Sequence, residues 1–226
     1  MPDEVPTNPE GDKAWGSSGL LTVSGRVEAF SDGVIAIAIT LLVLNLKVPD
    51  GEPGTVVRHL LDQWTSYVAY LASFIFIGVV WVSHHALFTR IRGVDSGVLW
   101  RNLLLLLAVS VFPFPTATLA YAMQHGTRGD QFAAIMLYGL ISVVMGFTWL
   151  VMFDYLGRHD ELVREDVAPG FFHEERRRAV FGIFSPVVAV AIGVVSPAVA
   201  LAAFVLLPLF YALTAEGGTP RQRTTL

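Results

Sequence analysis

The stretch "RVEAFSDGVIAIAITLLVLNL", residues 26–46, decides the fold, because it is long and apolar enough to cross most of a bilayer as one helix. Spanning the hydrocarbon core takes about 20 apolar residues. The run carries no charge after residue 32, but the carboxylate of Asp32 stands directly in front of it. A charge at membrane depth costs about 2.5–3.5 kcal/mol on insertion scales. Asp32 should therefore have a partner or lie near the water interface.

The composition of the whole chain agrees with a membrane protein. Of 226 residues, 54% are hydrophobic and only 15% are charged, and the mean hydropathy is +0.58, which is too apolar for an ordinary soluble domain. The absence of cysteine excludes disulfides and thiol chemistry. A net charge of −4 without a basic run gives no electrostatic case for a nucleic-acid partner.

The apolar blocks predict an all-α membrane protein with six transmembrane helices. They lie at residues 27–46, 64–88, 98–123, 131–153, 179–195 and 197–213. Together they form a transmembrane domain over residues 26–214. Residues 1–25 are polar and rich in Pro and Gly, so we expect a disordered cytoplasmic tail there, and a second tail at residues 215–226. The prolines at 113, 115, 186 and 208 predict kinks within spans.

The basic residues predict the orientation of the six spans. If the amino terminus is inside, 12 of the 15 Lys and Arg residues fall on that side. Loops that stay in the cytoplasm carry such an excess. We therefore expect both termini in the cytoplasm and, since no targeting segment is present, a multi-pass protein of a prokaryotic plasma membrane.

Enzymatic motifs are absent from the sequence. It contains no nucleophile elbow, no Gly-rich phosphate loop and no pair of intramembrane carboxylates. The clusters "HDE" and "HEE" between the fourth and fifth spans lack metal-ligand spacing and lie in a densely charged connector that we expect to be solvated and partly helical. We therefore expect no enzyme, no cofactor and no resident metal.

The apolar part of the first span carries a stripe on one helical face. At about 100° per residue, Ile37, Leu41 and Leu44 share one face, Thr40 lies at its edge, and Asp32 falls roughly 140° away. An apolar stripe of this kind normally packs in the protein core or faces lipid. The hydroxyl of a threonine in a membrane helix most often donates a hydrogen bond to a carbonyl of its own helix. Around a symmetry axis, the same residues would instead form a hydrophobic constriction and a ring of hydroxyls.

The partners available to Asp32 are few. Those predicted at the same end of the spans are Arg26, His84, His85, Arg101 and Asn102. Two interpretations remain open from the residues alone. Ser31 and Asp32 could simply cap the helix start, or they could belong to a set of polar contacts that fixes the first helix against its neighbours.

At these residues the sequence resembles the bacterial potassium channels of the transmembrane-protein-175 family. The motif is Arg-x3-Phe-Ser-Asp, here Arg26, Phe30, Ser31 and Asp32, followed by "GVIAIAITLLVL". Length, six spans, cytoplasmic termini and the "WVSHH" ending of the second span also fit. The resemblance covers nearly the whole chain, although only the first span is specific.

The resemblance implies a homotetramer that conducts K⁺ passively, with the first helix of each subunit lining a central pore and no re-entrant selectivity loop. It places the constriction at Ile37, further hydrophobic layers at Leu41 and Leu44, and a selectivity layer at Thr40. The structural polar network under the motif would use Arg26, Phe30, Ser31, Asp32, His84 and Asn102. No cofactor is implied, no metal beyond permeating K⁺ and no partner beyond further copies of the chain and the lipid bilayer.

Two other functions remain open. In a proton-coupled secondary transporter, Asp32 and His84 would be the titrating pair, although carriers usually bind substrate at polar residues near the midplane. The third possibility is a membrane scaffold protein without transport. Uphill movement of substrate would favour the carrier, and absence of any monovalent-cation flux would favour the scaffold.

Overall fold

The chain folds into a bundle of α-helices in the computed structural model, which describes residues 9–48 and 53–215, with side chains described for residues 24–48 and 53–211. The helices in these ranges are α1 Pro9–Leu41, α2 Val56–Asp62, α3 Trp64–Phe88, α4 Ser96–Val111, α5 Pro113–His125, α6 Arg128–Leu156, α7 Phe171–Val195 and α8 Pro197–Ala215. A 3₁₀ turn, Leu42–Asn45, continues α1, and a second covers Asp160–Leu162.

The prediction of an all-α, multi-pass membrane protein is confirmed. Within the residues that the structure describes, five helical segments are long and apolar enough to cross a membrane: Ser24–Asn45, Trp64–Phe88, Ser96–His125, Arg128–Leu156 and Phe171–Val195. The sixth predicted span coincides with α8, whose apolar part, Pro197–Tyr211, is shorter. The predicted tight hairpin between the last two spans is present, since Ser196 alone separates α7 from α8.

Two helices begin earlier than the sequence predicted. Helix α1 begins at Pro9, so residues 9–25, expected to be disordered, are helical; proline is favoured at a first helical position, and no further proline follows before residue 49. Residues 1–8 and 216–226 of the two predicted tails lie outside the described residues. Helix α7 begins at Phe171, and its first turns carry an ion pair between Arg178 and Glu175 (2.8 Å), a spacing that supports helices.

The third predicted span is divided by its prolines. Pro113 has no amide hydrogen to donate to the carbonyl of Val109, and the amide of Phe112 takes that acceptor instead (3.1 Å). Helix α4 therefore ends at Val111 and α5 begins at Pro113, with Phe112 between them. The hydroxyl of Thr116 donates back to the Phe112 carbonyl (2.9 Å), so this carbonyl has a hydrogen-bond donor without water. Pro186 and Pro208, in contrast, lie inside continuous helices.

Helices α6 and α7 approach each other through small residues. A Cβ on Gly139 would collide with the side chain of Val190, and one on Gly146 would lie 2.9 Å from Ile183. A Cβ on Gly193 of α7 would lie 2.9 Å from Ile135. Such close backbone approach supplies the dispersion contacts that hold membrane helices together. The α6–α7 contact therefore tolerates little added side-chain volume at these glycines.

A hydrogen-bonded cluster joins the start of α4 to the end of α6. Asp95 caps α4 by accepting from the Val98 amide (2.8 Å), and it also accepts from the Tyr155 hydroxyl (2.5 Å). Burial alone would raise the pKa of the Asp95 carboxyl, but these two hydrogen bonds outweigh it and lower that pKa. The guanidinium of Arg101 lies 3.7 Å above the Tyr155 ring. These contacts fix the end of the bundle at which the motif of α1 also lies.

Candidate functional site

Helix α1 has one face against its own protomer and one face away from it. Ile35, Ala38 and Leu42 are fully buried against the neighbouring helices. Ile37 is 61% exposed, Leu41 43% and Leu44 72%. The predicted stripe is thus the face that the protomer leaves uncovered, on a helix whose apolar window is only 22% buried.

A chain of buried hydrogen bonds holds α1 at its polar end. His84 Nε2 donates to Asn102 Oδ1 (2.9 Å), and Asn102 Nδ2 donates to Ser31 Oγ (2.8 Å). Ser31 in turn donates to the Val27 carbonyl one turn back (2.8 Å). His84 and Ser31 are 0% exposed and Asn102 is 1% exposed. The chain joins α1, α3 and α4 in a region where unpaired polar groups would be costly.

Asp32 is bound by a residue that the sequence analysis did not consider as its partner. Trp81 Nε1 donates to Asp32 Oδ1 (3.0 Å). None of the five predicted partners forms a hydrogen bond with Asp32 within the described residues. His84 does interact with Asp32 electrostatically, and His84 and Asn102 belong to the hydrogen-bonded chain that ends at Ser31. We call Ser31, Asp32, Trp81, His84 and Asn102 the clasp. Of the two interpretations, contacts that fix α1 against its neighbours are the one observed, since α1 is already helical before Ser31.

The remaining motif residues lie outside the clasp. Arg26 is exposed and forms no hydrogen bond or ion pair with another side chain in the described ranges. Phe30 is 57% exposed and lies on the same face as Ile37. Arg101, another predicted neighbour, instead donates to the Gly97 carbonyl (2.9 Å).

A second contact near the clasp was also missed. Glu28 Oε1 lies 3.0 Å from His85 Nδ1, and both side chains are partly exposed. Glu28 precedes Asp32 by one helical turn, so both acids lie toward α3. The spacing of the two acids was visible in the sequence, but their partners were not, because the side chain of Trp81 is apolar except for one N–H group.

Thr40 keeps its hydroxyl hydrogen within its own helix. Thr40 Oγ1 donates to the Ile37 carbonyl (2.9 Å), and the residue is exposed on the uncovered face of α1. With the hydrogen directed to the backbone, the oxygen presents only lone pairs away from the helix. Such an oxygen can accept hydrogen bonds from water or contact a cation.

The end of the first span that lies away from the clasp is also attached to the bundle. Asn45, in the 3₁₀ turn after α1, donates from Nδ2 to the Pro113 carbonyl at the α4–α5 break (3.4 Å). The segment from Ser31 to Asn45 is therefore attached to the bundle by polar contacts at both of its ends and by apolar packing between them.

Comparison with known proteins identifies the family. Residues 26–113 match the family model described as the endosomal/lysosomal potassium channel TMEM175. A protein of Streptomyces collinus named as a potassium channel is 40% identical over 189 residues, which cover 83% of this chain and 91% of that protein. The chain belongs to the TMEM175 family, as the Arg-x3-Phe-Ser-Asp motif predicted.

A solved structure supports this assignment at the level of the fold. The crystal structure of a lysosomal potassium-selective channel TMEM175 homologue from Chamaesiphon minutus matches with a TM-score of 0.73 and 34% identity, over 85% of this chain and 97% of that one. The human protein named as an endosomal/lysosomal proton channel is 38% identical over 109 residues. The matched part covers 22% of the human protein.

Replacing Asn102 by Ala should destabilise the protomer, because His84 Nε2 and Ser31 Oγ each lose a buried partner. An unsatisfied buried polar group costs about 1–3 kcal/mol. The measurement is the midpoint of thermal unfolding in detergent. Ser110→Ala is the matched control, since the exposed Ser110 hydroxyl bonds only its own helix. An Asn102→Ala protein that unfolds at the wild-type temperature would contradict the buried chain.

Replacing Asp32 by Ala should loosen α1 because the Trp81 indole then has no acceptor. We expect less correctly assembled protein and reduced ion conduction, and Trp81→Phe should reproduce the loss. The double variant should be little worse than either single one, as for two residues in direct contact. Glu28→Ala is the control, because it removes only the partly exposed contact with His85. A surface ion pair of this kind contributes about 0–1 kcal/mol to stability. Wild-type yield and conduction in Asp32→Ala would contradict the role of the clasp.

Proposed function

We propose that this protein is a potassium-selective channel whose pore is lined by the uncovered face of α1. The observation that carries the proposal is the division of the first span into two faces: one is held against the protomer, and the other, between residues 33 and 44, is uncovered and apolar apart from the hydroxyl of Thr40. Membership of the TMEM175 family supports it, since relatives are named as potassium channels.

The proposed assembly is a homotetramer of six-span subunits. Four copies around an axis would bury the exposed residues Ile37, Leu41 and Leu44 against one another or around a narrow pore. Helix α8, with 19 residues at about 1.5 Å each, reaches nearly the thickness of the hydrocarbon core and is proposed as the sixth span. Both termini then lie in the cytoplasm of a prokaryote, with the protein in its plasma membrane.

Ile37 is proposed as the narrowest ring. An apolar constriction offers no oxygens to replace the hydration shell, so it opposes conduction by dewetting. An ion that passes must shed water, which costs less for the larger K⁺ than for Na⁺. The next layer, Thr40, would present hydroxyl oxygens about one turn along the axis and return part of the lost coordination. Leu41 and Leu44 would extend the apolar lining.

The clasp is proposed to set the rotation of α1. A rotation of about 100°, the angle between successive helical residues, would replace Ile37 by a neighbour at the axis. The contacts of Ser31 and Asp32 with two different helices prevent this rotation. Arg26 and Phe30 are proposed as the remaining motif residues near the cytoplasmic mouth.

The deciding measurement is the reversal potential of purified protein in planar bilayers. Under a potassium gradient, we expect reversal near the potassium equilibrium value and a strong shift when sodium replaces potassium on one side. Uptake against a gradient in liposomes would instead indicate a carrier. Proton flux without potassium current would indicate a proton pathway, and no flux of any monovalent cation would favour a scaffold.

Ile37→Asn should raise conductance and weaken discrimination between K⁺ and Na⁺, because it hydrates the proposed constriction. Leu140→Asn is a matched control: Leu140 on α6 is 57% exposed, close to the 61% of Ile37, but it lies on a helix outside the proposed pore. Both variants are measured as current–voltage relations in the same bilayers. An unchanged relation for Ile37→Asn would remove Ile37 from the pore.

A further inference from the structure

A cleft of about 980 Å³ lies between α3, α6, α7 and α8, on the side of α3 that faces away from α1. Its walls are mostly apolar and include Phe76, Val79, Met145 and Phe184. The cleft is open on one side rather than enclosed. Its volume is at the upper end of the range of about 300–1,000 Å³ that is common for ligand cavities.

The position of the cleft in a membrane helix bundle restricts what can fill it. Four membrane-spanning or apolar helices form its walls, and Phe184 in one wall is 64% exposed. The apolar part of its walls offers water few hydrogen-bonding partners. A hydrocarbon chain from the surrounding bilayer is the occupant that is chemically matched to such walls.

One end of the cleft is lined by charged side chains, and its three arginines outnumber its two glutamates, Glu174 and Glu175. Arg176, Arg177 and Arg178 on the first turns of α7 contribute to its lining. Arg178 is paired with Glu175 (2.8 Å), and Arg176 lies 3.9 Å from Asp154. Arg177 is exposed and forms no ion pair within the described ranges. A guanidinium in this position can bind a phosphate with two parallel hydrogen bonds.

A second cavity, of about 560 Å³, adjoins the basic end of the first. The two cavities share Phe153, His173 and Arg176 in their walls. The second is formed by the polar loop between α6 and α7, and its charged residues include Arg92 and Arg164. Apolar space therefore continues directly into polar space, as the chain and head group of a lipid require.

We propose that the cleft binds one anionic phospholipid, with an acyl chain among the apolar walls and the phosphate on Arg177 and Arg176. Basic pockets between transmembrane helices recognise anionic head groups in this way. The site is distinct from the proposed pore and does not depend on the channel function. Since Val79 and Val80 line the cleft and Trp81 belongs to the clasp, an acyl chain there would support α3 from the side opposite α1.

The test is native mass spectrometry of the detergent-purified protein with phosphatidylglycerol or phosphatidylcholine of identical acyl chains. We expect about tenfold stronger retention of phosphatidylglycerol. Arg176→Gln combined with Arg177→Gln should reduce its retention to that of phosphatidylcholine. Arg58→Gln, an equal loss of charge at the 84% exposed Arg58 of α2, should change nothing. Equal retention of both lipids, or no effect of the double variant, would overturn the proposal.

A second variant tests the apolar part of the site. Val79→Phe should fill the cleft and reduce retention of both lipids. A fluorescence measurement on the wild-type protein does not depend on the folding of this variant. Phosphatidylglycerol with brominated chains should quench the tryptophan fluorescence from Trp149, which lines the cleft. The quenched component is identified as that of Trp149 by its absence in Trp149→Phe. No such component would overturn the proposal.

The same experiments distinguish other occupants. If glycerophosphoglycerol, the head group without chains, competed as well as the whole lipid, the cleft would be an anion site alone, and the proposal would be wrong. A change in oligomeric mass on Val79→Phe without any lipid retention would assign the cleft to a second copy of the chain, which would also overturn it.

Discussion

The chain of hydrogen bonds from His84 through Asn102 to Ser31 is the constraint on which the position of α1 depends. These side chains are fully buried where water cannot satisfy them, so each must meet its partner in one geometry. Apolar packing alone would not define the rotation of a helix that carries isoleucine, valine or leucine on most faces. The hydrogen-bonded chain restricts this rotation, and the rotation determines which residues of α1 remain uncovered.

The sequence predicted the two faces of α1 because helical periodicity is a local property. Ile37, Leu41 and Leu44 repeat at helical spacing, and no tertiary contact is needed to see that they share a face. Asp32 was different. Its partner depends on how α3 is rotated against α1, and the indole of Trp81 is apolar except at one atom. Charge and position therefore suggested five polar candidates, and the observed donor was missed.

The helix boundaries also divide into those set by the local sequence and those that depend on tertiary contacts. Pro113 ends α4 because of its own covalent structure, so the interruption of the third span was predictable. The start of α7 was predictable only in part, because the charged connector was expected to be partly helical but its periodicity did not show where the helix begins. The ion pair between Arg178 and Glu175 supports the helix there, and Arg176 lies 3.9 Å from Asp154 of α6. The second of these contacts exists only in the assembled pair of helices.

The contact between Asn45 and the Pro113 carbonyl has a mechanical consequence for α1. The first span is held by directional contacts at Ser31 and Asp32 on one side and at Asn45 on the other, whereas Ala38 between them is held by apolar packing alone. Since the carbonyl that Asn45 contacts belongs to Pro113, this end of the span takes its position from the α4–α5 break. The geometry of the proline break is thus tied directly to the helix that carries the uncovered face.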